Sequence, residues 1–426
     1  MSIQIRRFSL RLLLCLSLFP LSAFAEKLSL EVRADREDWR YSLGDSVTFT
    51  IDCRNPGKIK QAALQYRLSE DGERVIVEGP LNFSGGSCSL KGALDRPGFL
   101  RLDLTLIADG DTTRAACGCA FSPESIRPTN VLPEDFDSFW RQARAELLRV
   151  PPDPRVEEAP DTAARGSRRY KVSLANIENS RIYGWLTVPD GAGPFPAVLC
   201  VPGAGVNDVG AHANYARAGM VVLSLEIHGI GVGLEDSYYA GLRDGLLYNY
   251  RFFGCTDPYH FYYRRVILGA VRALDYLAGR EDVDSTRLGI AGSSQGGALS
   301  LLVSGIDKRI KALTANVPAM CDHTGQLQRR PSGWPRLLRH DNSPAALRTC
   351  GYYDAALNAG LITVPALLAV GYVDNTCAPT TVYAAYNNLR GPKEIDGFPK
   401  MGHSYGPGWE EKAVKWLKDK LDHAGK

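Results

Sequence analysis

The sequence predicts an α/β domain on a mostly parallel sheet, preceded by a small all-β sandwich. Two contrasts carry that prediction. Residues 27–125 hold short runs that alternate with period two and show no competing helical period. From Arg168 onward, continuous apolar runs of strand length alternate with segments of helical spacing. Composition agrees, since 426 residues with 45% hydrophobic and 23% charged content are globular in character and leave room for two or three domains.

The chain opens with Arg6, Arg7 and Arg11, an apolar core at 12–21 and the small-residue site Ala23-Phe24-Ala25, which is the layout of a secretory signal cut after Ala25. Residues 1–25 are therefore expected to be a leader. The mature protein is expected to be soluble, without a membrane span, and secreted or periplasmic. The leader's arginines account for the whole formal charge of +3, so the rest is balanced and offers no electrostatic case for nucleic acid or an anionic membrane. Ten cysteines are present, and losing Cys15 leaves an odd number in an exported protein. Cys117-Gly118-Cys119 is too tight for a zinc knuckle, and no metal site is expected.

The first domain, 26–125, takes its strands from 28–32, 46–51, 62–67, 74–77 and 99–106, an immunoglobulin-like sandwich in general plan. Cys53 has Cys88, Cys117 and Cys119 as open pairing choices. Residues 122–133 read as a linker, and a helix with acids in its first turn opens at 134. In the second domain, 126–426, strands are expected at 182–188, 197–201, 220–225, 288–291, 310–315, 366–370 and 394–398. Helices are expected at 263–277, 298–303, 381–389 and 410–421.

Within this frame, Gly292-Ser293-Ser294-Gln295-Gly296 follows a strand and precedes a helix. That is the setting of a nucleophile elbow, where small neighbours permit a sharp turn that lifts the serine hydroxyl to a helix N-terminus. A serine needs a base, itself oriented by a carboxylate, and chain order in such folds is serine, acid, histidine. Asp374 lies just past a buried strand and His403 follows the next one. Asp396 is the nearest competitor for the acid but sits within a strand. His212, His228 and His260 precede the serine, His323 and His340 precede the acid, and His423 ends the last helix. The oxyanion donors are expected to be the N–H of Gln295 and that of Ala204, in Pro202-Gly203-Ala204-Gly205 after an early strand. The glycines at 229, 231 and 233 fail the spacing of a dinucleotide loop and read as a tight turn near the catalytic face.

Several stretches resemble the acetyl xylan esterase and cephalosporin C deacetylase family: 258–275, Gly292 to Gly297, Tyr353 to Asn358, Gly371 to Asn387 and Gly391 to Ile395. The similarity spans about 130–420 and is most specific over 350–403. It implies an α/β-hydrolase that deacetylates xylose units and related small acetylated compounds without a cofactor. It carries Ser294, Asp374 and His403 over as the triad, with the backbone of Ala204 and Gln295 as the oxyanion hole. Three positions depart from the family. Ala204 replaces a tyrosine, His228-Gly229-Ile230-Gly231 replaces an Arg-Gly-Gln-Gly turn and its bracing contacts, and Ser404 replaces a glutamate. The family's usual members also lack the β-domain, which bears on whether a homo-oligomer such as their ring-shaped hexamer forms.

The enzymatic rivals are a general carboxylesterase, a prolyl-oligopeptidase-like peptidase, which would carry a far larger propeller, and a glucuronoyl esterase, which has arginine at the position of Gln295. A carbohydrate-binding protein with an inactive hydrolase scaffold is the rival from another class. In the insertion at 318–353, Trp334 either stacks on a sugar or anchors the insertion to the core. Tyr372 is a second candidate substrate contact. Because every catalytic candidate lies beyond residue 200, the β-domain is expected to be a docking or spacing module.

Overall fold

The computed structural model describes residues 28–54, 62–82, 86–159 and 166–424. The expected leader therefore lies outside the described residues. The N-terminal region contains β1 (Ser29–Ala34), β2 (Arg40–Tyr41), β3 (Val47–Arg54), β4 (Ala62–Glu70), β5 (Arg74–Leu81), β6 (Ser87–Gly92), β7 (Gly98–Ala108) and β8 (Asp111–Phe121). They form two sheets, β1-β3-β6 and β2-β8-β7-β4-β5, antiparallel except for the short β2–β8 pair. Period-two patterning closes the sandwich: Val47, Phe49 and Ile51 from one sheet share a core with Leu100, Leu102, Leu104 and Leu106 from the other.

The larger region contains β9 (Arg155–Ala159), β10 (Ser167–Asn176), β11 (Ser180–Pro189), β12 (Phe195–Val201), β13 (Val221–Glu226), β14 (Val283–Ser293), β15 (Ile310–Asn316), β16 (Ala366–Gly371) and β17 (Lys393–Phe398). They form one sheet in the order β17-β16-β15-β14-β12-β13-β11-β10-β9. β12 to β17 run parallel to one another, while β11 pairs antiparallel with β13 and, with β10 and β9, forms an antiparallel edge. The continuous apolar runs have the expected cause, burial on both faces. In β12, Leu199 and Val201 join the core with the helices Tyr262–Ala278 and Gln295–Ile306. Val198 and Cys200 point the other way, to Leu417 and Leu421 of the helix Trp409–His423.

The two regions share packed surface. Phe99 and Ala120 of the β-domain are fully buried within the main core of the α/β region. Phe99 sits between the rings of Tyr372 and Tyr383, with centroids 4.9 and 5.2 Å away. The expected linker is laid onto the α/β region, where Asn387 donates its amide to the carbonyls of Pro123 (2.7 Å) and Ile126 (2.9 Å). All nine described cysteines are thiols, so none of the pairings open to Cys53 is formed.

Candidate active site

Ser294 occupies the turn between β14 and the helix Gln295–Ile306, with φ 58° and ψ −118°. A non-glycine residue in that region is strained, and the surroundings hold it there. The Ser294 N–H donates to the Asn316 carbonyl at 2.9 Å, and its carbonyl accepts from Ala298 and Ala319, each at 3.0 Å. The flanking glycines are required by space. A Cβ on Gly292 would meet the Gly296 backbone at 2.4 Å, and one on Gly296 would meet the Val201 carbonyl oxygen at 2.2 Å.

The turn places the Ser294 hydroxyl 2.9 Å from His403 Nε2, and His403 Nδ1 lies 2.8 Å from Asp374 Oδ2. The other carboxylate oxygen of Asp374 accepts the N–H groups of Thr376 (2.7 Å) and Cys377 (2.9 Å), so this buried acid is fixed by its own loop. Asp396 instead pairs with Lys412 at 2.7 Å, away from the histidine. A serine, an imidazole and a buried carboxylate in this line can pass the serine proton to His403 while Asp374 steadies the resulting charge.

Gln295 begins the helix, so its N–H has no partner within it. Its buried side chain braces the loop that carries Ala204. Oε1 accepts from the hydroxyls of Tyr250 (2.7 Å) and Tyr263 (2.8 Å), and Nε2 donates to the Gly203 carbonyl at 3.3 Å. The Tyr250 hydroxyl also accepts from the Gly205 N–H at 3.2 Å. The neighbouring turn at 228–231, without the side-chain contacts of an Arg-Gly-Gln-Gly turn, is braced by other residues. Glu226 accepts from the N–H groups of His228 (2.7 Å), Gly229 (2.9 Å) and Ile230 (2.8 Å). His228 bridges the Gly205 carbonyl (2.9 Å) and the Tyr262 hydroxyl (2.6 Å). Burial pushes the His228 imidazole down to about 4, which keeps it neutral, and pushes the Glu226 carboxyl up to about 7 against the opposing pull of those N–H groups.

Residues 124–420 match the acetyl xylan esterase family. The chain belongs to the acetyl xylan esterase family. Acetyl esterase Axe7A of Xylanibacter ruminicola is 32% identical over 365 residues, which is 84% of this chain and 82% of that protein. The acetyl xylan esterase of Paenibacillus sp. R4 superimposes with a TM-score of 0.61 at 27% identity, covering 70% of this chain and 98% of its own. Acetyl Xylan Esterase 1 from Thermoanaerobacterium sp. JW/SL YS485 gives 0.61 at 25% identity, covering 70% and 97%. The molecule is thus a carboxylic ester hydrolase with the α/β-hydrolase fold, and about three tenths of it has no counterpart in those solved structures.

Against the family background, the candidate substrate residues separate. Trp334 is half-buried with its side chain packed against the main core, a contact that anchors the insertion, and within the insertion its carbonyl accepts from Met320 at 2.8 Å. Tyr372 is a correction: it is 3% exposed, with its ring packed on Phe99 and on the backbone of Gly397, and it offers nothing to a substrate. Among the described residues, one group brings three ligand-type atoms within 4.8 Å, Asp374, Cys377 and His403. Its donors are already committed. His403 Nδ1 faces Asp374, and burial pushes the Cys377 thiol far up, which keeps it protonated beside the Ser294 hydroxyl. No helix among the described residues is long and apolar enough to cross a membrane.

Sequence reasoning did not reach Tyr250, Tyr263, Glu226 or Asn316. Asn316 donates to both Ser293 Oγ (2.8 Å) and the Ser404 carbonyl (3.1 Å), tying the serine turn to the histidine loop. Tyr250, Tyr263 and Asn316 act by meeting residues distant in the chain, whereas Glu226 acts locally, on the N–H groups two to four residues ahead of it.

Proposed function

We propose that this chain removes acetyl groups from acetylated xylan, xylo-oligosaccharides or related small acetylated compounds through a serine acyl-enzyme. The observation that carries the reading is the continuous hydrogen-bonded line from Ser294 through His403 to Asp374, formed at a strained strand-to-helix turn. Ser294 Oγ attacks the acetyl carbonyl as His403 Nε2 takes its proton. The N–H groups of Gln295 and Ala204 receive the oxyanion, and collapse expels the sugar alkoxide, which takes the proton back from His403. Water, deprotonated by the same imidazole, then releases acetate and restores Ser294. Asp374 keeps Nδ1–H of His403 directed away from the serine throughout and stabilises the imidazolium. Residues 1–25 serve in this reading as an export leader, which would bring the enzyme to a polysaccharide substrate outside the cytoplasm.

Ser294→Ala is expected to remove turnover of acetylated xylo-oligosaccharides by a factor on the order of 10⁶ while the far-ultraviolet circular dichroism stays unchanged. Turnover well above the uncatalysed rate in that variant would refute Ser294 as nucleophile. An acyl series on one leaving group tests the substrate. Acetyl is expected to be preferred, with propionyl and butyryl tolerated because Ala204 leaves space beside the carbonyl, each added methylene weighing only about 1–3 kcal/mol. An optimum at octanoyl would favour a general carboxylesterase.

A further inference from the structure

We propose that the N-terminal β-domain is a brace for the loops that carry Asp374 and His403, with Arg101 as its positioning residue. This rests on the serine-esterase reading above.

One cross-strand pair makes the central contact. Arg101 of β7 stands opposite Gly118 of β8. The Arg101 side chain is 11% exposed and is oriented by Asp103, which accepts from Nε (2.9 Å) and Nη2 (2.7 Å). Its remaining nitrogen, Nη1, donates to the Val373 carbonyl at 3.0 Å and to the side-chain oxygen of Asn375. Those two residues flank Asp374. Opposite, Gly118 lets the acid loop approach: a Cβ there would lie 2.6 Å from the Tyr372 carbonyl oxygen. The Gly118 N–H donates to the Pro399 carbonyl at 2.8 Å, on the loop leading to His403. A second tier surrounds the pair. Thr380 donates its hydroxyl to Asp71 at 2.6 Å, while Glu73 pairs with Arg336 at 2.9 Å and Arg336 donates to the Asn375 carbonyl at 2.9 Å.

The acid loop therefore takes its shape from two sides. Its own N–H groups fix one oxygen of Asp374, and the β-domain holds the Val373 carbonyl and the Asn375 side chain directly and, through the Glu73–Arg336 pair, the Asn375 carbonyl. A displacement of about 1 Å at a catalytic group can cost on the order of a hundredfold in rate, so such a brace acts on turnover. A freely removable spacer has no need of an arginine bonded to both residues that flank the acid, so on this proposal the β-domain does more than dock or space.

The test uses full-length protein carrying Arg101→Ala, Arg101→Lys, Gly118→Ala and, separately, Ser294→Ala. A small soluble acetyl ester reports kcat and KM, and thermal unfolding reports Tm. Arg101→Ala and Gly118→Ala are expected to lower kcat about tenfold or more with KM within about twofold, and Arg101→Lys to recover part of the loss. Unchanged kcat in both the alanine variants would overturn the brace. So would a loss in Arg101→Ala that merely follows a collapse in Tm and is not recovered by lysine. Activity surviving in Ser294→Ala would instead overturn the underlying serine reading, so the two failures are distinguishable.

Discussion

Gln295 serves the site twice, with a backbone N–H at the start of the helix and a side chain that gathers two tyrosine hydroxyls and the Gly203 carbonyl. Tyr250 is the most connected of its partners, because its hydroxyl also accepts from Gly205 beside Ala204. Removing that hydroxyl leaves the Gly205 N–H unpaired and loosens the loop, while Tyr263 still satisfies Gln295. Deleting an oxyanion donor outright costs roughly 10²–10³ in kcat, so Tyr250→Phe, which only frees the loop that carries the proposed donor Ala204, is expected to cost about tenfold. Steady-state kinetics on an acetyl ester would check this, and Tyr263→Phe should lose less. Ser294 and Asp374 could be picked out as candidates because each sits just after an apolar strand, and His403 because it follows the next strand in the order such a fold dictates. Tyr250 could not, since nothing around it in the chain indicates that it meets Gln295 in space.

At the scale of elements, β14, its turn and the following helix form one rigid unit, and the price of the Ser294 backbone conformation is about 1–3 kcal/mol. The unit seats against the end of β12 so closely that Gly296 has no space for a methyl group, with the Val201 carbonyl as the obstacle. Gly296→Ala is therefore expected to destabilise the fold by about 1–3 kcal/mol through overpacking, and to abolish turnover by displacing Ser294. Thermal unfolding alongside an ester assay would show both effects; a variant with native Tm and rate would mean that the helix can shift freely. Elements with strong patterning were readable, such as β12 and β16 with their unbroken apolar runs. β8 was not, because Ala115, Ala116, Gly118 and Ala120 have weak strand character of their own. Gly118 and Ala120 stay small because Tyr372 and the main core press on them, a demand that arises some 250 residues away in the chain. The same distance hid the true position of Tyr372, whose burial is supplied by Phe99.

For the molecule as a whole, the contact between the two regions contains a fully buried carboxyl, Asp71, held by the hydroxyl and N–H of Thr380 at 2.6 and 3.3 Å. Burial pushes it from its ordinary 3.8 up to about 7; the bonds from Thr380 oppose that rise, and the nearby charges of Glu70 and Glu73 add to it. Because the folded value lies above the unfolded one, the folded chain keeps a proton that the unfolded chain releases as pH rises from about 4 to 7. Asp71 thus contributes stability that is full below about pH 4 and lost as pH climbs through 7. Glu226 and Asp354 are pushed up to about 7 by the same cause and tilt stability in the same direction, so the wild type alone cannot isolate the interface. Asp71→Asn can, since the amide is neutral at every pH and still offers an oxygen to the Thr380 N–H and a group of similar size to its hydroxyl. The expected outcome is a Tm that falls less steeply between pH 5 and 8 in the variant than in the wild type, by a few degrees over that range. Parallel slopes in the two proteins would show that Asp71 does not hold its proton at the interface, and would remove pH as a lever on how firmly the β-domain grips the acid loop.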